Sequence, residues 1–167
     1  MTEKTTKNLE SIEYDFEYFY RFHTNITTEG YKNHWHNAVE IIMPIINTYQ
    51  AIINETTYNL NEYDILIIPS AESHELFAPP GTGQRIVLQF NVAGLNTIRG
   101  ISDAFYIYSK HQVITPDNMP EMHDTVKALL LNMLDEHMSQ NPYYEVSIAN
   151  KIIERVFQNI RNDHIIH

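Results

Sequence analysis

Hydrophobic and polar residues alternate in short blocks over the first two thirds of the chain. From Tyr14 to Phe22, aromatic residues alternate with mostly charged ones, which predicts a strand with an aromatic inner face. Further blocks are short and bounded by turn residues: 34–46, 48–53, 56–60, 65–69, 74–77 and 85–90. Many short strands at close spacing indicate an antiparallel sandwich or barrel.

Three features punctuate these strands. Asn54 and Glu55 predict a hairpin turn, because Asn tolerates positive φ. Pro44 indicates an edge, a bulge or a break, since proline cannot donate to a ladder. Phe105–Tyr108 and Gln112–Ile114 are predicted to form one more strand or a hairpin.

After Pro116 the apolar spacing changes to i, i+3, i+4, which predicts two amphipathic helices. Pro120 suits the first turn of the first helix, and Asn141-Pro142 separates the two. The apolar faces are wide, with Leu129 to Leu131 and Ile152-Ile153 adjacent. We interpret this width as a dimer interface, and the alternative is a lid over the β domain.

Composition excludes several classes of protein. The chain has 167 residues, no cysteine and a formal charge of −10. There is no apolar run long enough for a membrane span and no secretory pattern at the N-terminus, which is compatible with a cytoplasmic protein. Direct contact with nucleic acid is disfavoured because Lys and Arg are scattered.

The most polar cluster stands where a buried strand is predicted. His34, His36 and Glu40 occupy even positions, so in an unbroken strand all three side chains project to one face. The apolar run Ile41-Ile42-Met43 follows at once. Such a cluster must be paired, hydrogen-bonded or bound to a metal. Trp35 has the opposite parity, which favours packing or an interface.

The second half of the pattern lies forty residues further on. Gly30-x₃-His34-x-His36-x₃-Glu40, followed by Asp64-x₄-Pro69-x-Ala71-x₂-His74, resembles the two sequence motifs of the cupins. The resemblance covers about positions 30–90 and implies a small antiparallel barrel. In metal-binding cupins the matching residues would be His34, His36, Glu40 and His74, gathered inside the barrel.

The chain departs from those motifs at four positions. Asn47, Tyr63 and Ala71 stand where the motifs usually have glycine, and Ala78 stands where they commonly have asparagine. Asn47 can adopt the left-handed conformation of the glycine it replaces. These departures weaken a catalytic interpretation more than they weaken the fold.

Three histidines and one glutamate suit a divalent ion such as Zn, Fe, Ni or Mn. The preferred interpretation is nevertheless a polar ligand-binding pocket lined by His34, His36, Glu40 and His74 that requires no cofactor. A metal bound by the same four residues is the second hypothesis. The other histidines show no partner spacing and are assigned no role: His111, His123, His137, His164 and His167.

Nearly the whole chain resembles the effector-binding and dimerisation region of AraC-type transcription regulators. The resemblance rests on a polar arm, then HWHNAVEIIM, YDILIIPSAESHEL and RIVLQFN, then two amphipathic helices. It implies a flexible arm at 1–11, a cupin-like effector-binding barrel at 12–115 and a dimerising helical hairpin at 116–167. The family's DNA-binding helix-turn-helix units are not predicted within these 167 residues.

The resemblance implies a cytoplasmic homodimer that senses a sugar or related metabolite and contacts DNA only through a further domain. We therefore predict a sensor and not an enzyme. The main alternative is a metal-dependent cupin enzyme, an isomerase, epimerase or dioxygenase. The sequence offers no second base for such an enzyme apart from Glu40 or a tyrosine. A stand-alone sugar-binding module is the third hypothesis.

Overall fold

The computed structural model describes residues 8–13, 19–26, 30–91, 93 and 108–164, and for 156–164 the backbone alone. Within these residues the elements, in chain order, are β1 (Asn8–Leu9), β2 (Tyr20–Asn25), β3 (Tyr31–Trp35), β4 (Val39–Ile46), β5 (Tyr49–Ile53), β6 (Thr56–Leu60), β7 (Ile65–Ile68), β8 (His74–Phe77), β9 (Gln84–Phe90), β10 (Gln112–Ile114), α1 (Pro120–Ser139) and α2 (Tyr144–His164). The predictions for Tyr14 to Tyr18 and for 105–107 lie outside the described residues.

The described strands form two five-stranded sheets. One has the order β1-β3-β8-β5-β6, and the other has the order β10-β7-β4-β9-β2. Every pairing is antiparallel except that of β1 with β3, which is parallel. The predicted mainly β fold, with packed sheets followed by a helical pair, is confirmed.

The buried apolar side chains of the described residues form two clusters, one on each face of the second sheet. The inner cluster lies between the two sheets and comprises Ile42, Tyr49, Ala51, Ile53, Leu60, Leu66, Ile68 and Leu76. The outer cluster lies between the second sheet and the helices, and includes Tyr20, Phe22, Ile41, Leu88, Phe90, Val126, Leu130, Met133 and Ile152. The second sheet is therefore covered on both faces.

Local backbone geometry follows the turn residues. Asn54 and Glu55 have φ of 49° and 65°, as a two-residue hairpin with a right-handed twist requires, and the predicted hairpin is confirmed. Pro44 lies within β4, which pairs on both sides, and the β4–β9 register shifts between Pro44 and Ile46. Of the three options that Pro44 left open, the structure has the bulge.

The helices cover the outer face of the second sheet. Pro120 begins α1, and Gln140, with φ of 47°, ends it in the left-handed conformation. The sheet buries much of the wide apolar face that predicted a dimer interface. The helical pair still exposes Met138 and Tyr143, which are 68% and 81% accessible. Neither described helix combines the length and the apolar character that crossing a membrane requires.

The aromatic face of β2 points away from the barrel interior. The hydroxyl of Tyr20 donates to the carbonyl of Glu145 in α2 at 2.9 Å, and the ring of Phe22 packs against that of His137 in α1 at 5.4 Å. The prediction of an aromatic inner face is therefore wrong for the described part of this strand. Because side chains alternate, the inner face of β2 instead carries polar residues.

The predicted arm at 1–11 is described only from Asn8. Asn8 and Leu9 form β1, which pairs in parallel with His34 and Trp35, and the amide of Glu10 donates to the carbonyl of Trp35 at 2.9 Å. This part of the arm is thus a strand at the edge of the first sheet. It brings the side chain of Glu10 to the predicted site.

Candidate metal centre and ligand cavity

The structure brings together the four residues singled out from the sequence. His34 in β3 is the direct register partner of His74 in β8, and Glu40 lies at the start of β4. His36 lies in the connection between β3 and β4, so the strand predicted from its parity is interrupted there. All four are buried, and their roles stay predictions.

The loop before β8 holds His36 in place. The amide of Ala71 donates to the carbonyl of His36 at 2.8 Å. Ala71 itself has φ of 64°, and Asn47 and Tyr63 have φ of 68° and 69°. All three positions at which the chain replaces a motif glycine thus keep the left-handed conformation. These substitutions for glycine therefore change the side chain and keep the backbone conformation.

Backbone carbonyls fix the tautomer of each histidine. The Nδ1 atoms of His34, His36 and His74 lie 2.8, 3.1 and 2.9 Å from the carbonyl oxygens of residues 32, 38 and 72. A carbonyl oxygen only accepts, so each Nδ1 carries a proton. In a neutral imidazole the other nitrogen, Nε2, then carries a lone pair. This arrangement is common for histidines that bind metals through Nε2.

Each of these Nε2 atoms faces a carboxylate oxygen. His36 and His74 lie 3.2 and 3.1 Å from the same oxygen of Glu40, Oε2, and His34 lies 3.2 Å from Oε2 of Glu10. The buried Nε2 of His74 makes no hydrogen bond of acceptable geometry within the described residues. A lone pair facing a carboxylate is repelled, so a proton or a metal cation is needed there.

The three rings lie close enough to disfavour protonation of all of them at once. One ring nitrogen from each of His34, His36 and His74 lies within 4.8 Å of the other two. Burial, followed by the nearby charge of His74, lowers the pKa of His34. The three rings therefore do not all become positively charged together.

The pairing of Glu40 with His36 opposes the cost of burial. Burial disfavours the charged form of both groups, but the hydrogen bond from His36 and the nearby imidazole of His74 lower the pKa of Glu40. The same pairing with Glu40 outweighs burial and raises the pKa of His36. Glu40 is therefore an anion at neutral pH, and a buried anion beside three nitrogen donors fits a divalent cation.

A polar cavity of about 140 Å³ adjoins the cluster inside the barrel. It is lined by Glu10, Arg21, His23, Asn25, Tyr31, His34, Glu40, Tyr49, Leu76, Val87 and Gln89. His34 and Glu40 form part of its wall, so a ligand in the cavity can reach the cation site. Of the four predicted pocket residues, His34 and Glu40 line the cavity, whereas His36 and His74 are not part of its lining. The other lining residues were not identified by the sequence analysis.

Sequence reasoning missed Glu10, Arg21 and Gln89. The alternation in β2 contained a usable pattern, since Arg21 and His23 have the opposite parity to Tyr20 and Phe22. It was assigned to the wrong face because nothing local tells which side of a strand the helices will cover. No local sequence pattern identifies Gln89, since its position inside the barrel depends on its partners in two other strands.

The other described histidines have structural partners. His111 contacts the Tyr58 hydroxyl and Glu72 at 2.9 Å each. His123 donates from Nε2 to the carbonyl of Tyr63 at 3.0 Å, which fastens α1 to the barrel. That these histidines have no functional role stays a prediction.

Comparison with known proteins gives structural neighbours. No protein-family profile matches the chain, and no curated protein matches it at a significant level. A cupin-2 domain protein from Shewanella frigidimarina is similar in structure, with 16% identity and a TM-score of 0.40 over 44% of this chain and 72% of its own. A cupin superfamily protein from Desulfitobacterium hafniense has 10% identity and a TM-score of 0.38, over 43% and 65% of the two chains.

A Bacillus subtilis oxalate decarboxylase, described as having Mn(II) centres, is a further neighbour. It has 16% identity and a TM-score of 0.40, over 45% of this chain. The matched part is only 22% of the decarboxylase. At these identities the neighbours describe a type of fold and assign no activity.

Proposed function

We propose that this chain is the small-molecule-sensing domain of an AraC-type transcription regulator, and that its pocket is built around a divalent cation. One observation carries the cation: three Nε2 atoms, each 3.1–3.2 Å from a carboxylate oxygen, converge beside a polar cavity. His34, His36, Glu40 and His74 would hold it. The effector is a small polar molecule, a sugar or a related metabolite.

A bound cation would supply Lewis acidity toward an oxygen atom of the ligand. The protein's own residues do the rest. Backbone carbonyls orient the three rings, Glu40 balances part of the added charge, and the lining of the cavity selects the ligand. The fixed tautomers mean that little rearrangement accompanies cation binding, which favours affinity.

The second sheet offers a route from the pocket to the helices. In β4, Glu40 points into the barrel and Ile41 into the outer cluster; in β9, Gln89 and Leu88 do the same. A ligand that binds two arrangements of these strands with different affinity would shift the helical pair that packs on them. The exposed Met138 and Tyr143 favour a homodimer through that pair. A linked domain would contact DNA in the cytoplasm.

The enzyme alternative needs a general base in the cavity. Burial raises the pKa of Tyr49, which lines the cavity, so its phenol keeps its proton at neutral pH and does not act as a base. Glu40 is already occupied by two histidines and Gln89. This chemistry suits binding better than proton abstraction.

Metal analysis of the purified protein tests the cation. We expect about one divalent ion per chain, retained through dialysis and lost in His36→Ala. His137→Ala, which removes a histidine from the helix side of the sheet, is the matched control and should keep the ion. Circular dichroism verifies the fold of each variant. Absence of metal from the wild-type protein after incubation with Zn²⁺ or Mn²⁺ would contradict the proposal.

Two further measurements test the regulator. The coding sequence beyond His167 should continue into two helix-turn-helix units. Sedimentation should show a dimer that Tyr143→Ser weakens. A monomer, or a stop codon after His167, would favour the enzyme or the stand-alone binding module.

A further inference from the structure

We propose that the ligand of this cavity is a small carboxylate that also carries a hydroxyl group, such as a hydroxy acid or a sugar acid. The inference rests on the proposed function and names its ligand class. It starts from a row of three side chains across three neighbouring strands. Gln89 in β9 is the direct register partner of both Arg21 in β2 and Glu40 in β4. Directly opposed residues share a face, so all three line the cavity.

The amide of Gln89 supplies an acceptor for a hydroxyl group. Its Nε2 donates to Oε1 of Glu40 at 3.1 Å, and because an ionised carboxylate only accepts, the amide cannot be turned round. Its Oε1 is buried and has no hydrogen-bond partner within the described residues. Gln89 is only 4% exposed, so this acceptor needs a donor that the described chain does not provide. A ligand hydroxyl is such a donor.

The charges around the cavity favour an anion. Arg21 lines it, and Arg85 lies just behind, where its guanidinium stacks 4.0 Å from the Tyr49 ring and donates to Asn25 at 3.3 Å. Glu10 and Glu40 oppose these two cations. A divalent ion at the histidines leaves the site positive. A guanidinium binds a carboxylate through two parallel hydrogen bonds, which assigns the ligand's acid group to Arg21.

The size of the cavity limits the ligand. Its volume of about 140 Å³ is well below the roughly 300 Å³ at which sites for drug-sized molecules begin. Most of the described lining residues carry a polar group, and Leu76 and Val87 are the apolar ones. A short polyhydroxy acid fits these limits better than an aromatic or long-chain acid.

Three matched three-carbon probes test the ligand class by calorimetry on the Zn²⁺-saturated protein. Glycerate has a carboxylate and hydroxyls, propionate has only the carboxylate, and glycerol has only hydroxyls. We expect glycerate to bind at least about tenfold more tightly than either, since each partial probe leaves one charged or polar group unpaired. Glycerol binding as tightly as glycerate, or no difference among the probes, would overturn the inference.

Variants identify the groups involved. Arg21→Gln should lower glycerate affinity about tenfold or more and leave Zn²⁺ affinity unchanged, whereas Arg21→Lys should restore part of it. Gln89→Leu should reduce the preference for glycerate over propionate. Lys110→Gln, an exposed cation outside the cavity, is the matched control. Unchanged glycerate affinity in Arg21→Gln would overturn the assignment.

The outcomes separate this inference from the proposed function. If Zn²⁺ does not bind, the proposed function fails, and the ligand inference fails with it because the positive charge is missing. If Zn²⁺ binds and glycerol is preferred, only the ligand inference fails. Should Arg21→Gln not fold, the probe comparison on the wild-type protein still decides.

Discussion

The two faces of the sheet β10-β7-β4-β9-β2 are built on opposite principles, although the same strands form both. The face toward the helices is largely apolar where it is described, and includes Tyr20 in β2, Leu88 in β9 and Ile65 in β7. The face toward the other sheet is apolar at Ile68 and polar at Glu40 and Arg21. Buried polar groups weaken a core unless they are paired, so the apolar outer half should supply more of the stability than the polar inner half.

A cavity in the apolar outer face should cause the largest loss of stability. Leu130 in α1 is 1% exposed within the outer cluster. Leu130→Ala should lower the free energy of unfolding by about 2–5 kcal/mol, because it leaves a cavity in a close-packed core. Leu131→Ala, at a half-buried neighbour, is the matched control and should cost clearly less. Urea denaturation measures both. Equal losses would mean that the helices do not pack on the sheet as described.

Binding of a divalent cation to the inner face should stabilise the protein. At a Zn²⁺ concentration one hundredfold above Kd, the free energy of unfolding should rise by about 2.7 kcal/mol, since the ion binds only the folded chain. His74→Ala should abolish this gain and His137→Ala should keep it. Thermal denaturation with Zn²⁺ or with a chelator measures the difference. A gain that survives in His74→Ala would place the ion elsewhere.

A substitution at Gly30 tests whether the spacing of β3 and β8 positions His34 and His74. A Cβ added there would lie 2.6 Å from the backbone oxygen of Leu76 in β8. Gly30→Ala should therefore push β3 from β8, separate His34 from His74, and cost about 1–2 kcal/mol of stability. Zn²⁺ affinity should fall in parallel. An unchanged affinity would show that the histidines tolerate movement of the strand.

The smallest expected effect has the opposite sign. Ala71 has φ of 64°, a conformation that costs a residue with a Cβ about 1–2 kcal/mol. Ala71→Gly removes this strain but adds freedom to the unfolded chain, so we expect a net gain of about 0.5 kcal/mol. Ala51→Gly, in the buried part of β5, should instead lose stability. Denaturation of both variants decides, and a loss in Ala71→Gly would contradict the strain argument.

Much of the fold was predictable because its determinants are local. The hairpin at Asn54, an irregularity of the strand at Pro44 and the helix beginning at Pro120 each follow from the conformational limits of one or two residues. The period of the apolar pattern, 2 and then 3.6, separated the β domain from the helices. These preferences act within a few residues, so they can be read without the tertiary structure.

The site was only half predictable. His34, His36 and Glu40 could be found from their spacing, and His74 from its resemblance to a motif. Glu10 and Gln89 could not, because their positions depend on pairing with strands far away in sequence. The tautomers that favour a cation depend on carbonyl oxygens whose positions no sequence pattern specifies.

The most direct test is a crystal of the protein soaked in Zn²⁺ and measured at the zinc absorption edge. The account predicts one strong anomalous peak among the Nε2 atoms of His34, His36 and His74, within reach of Glu40. It also predicts that the peak is absent in His36→Ala crystals. A wild-type map with no peak among these three rings, or with zinc only at surface histidines, would contradict the claim that the inner face is built around a cation.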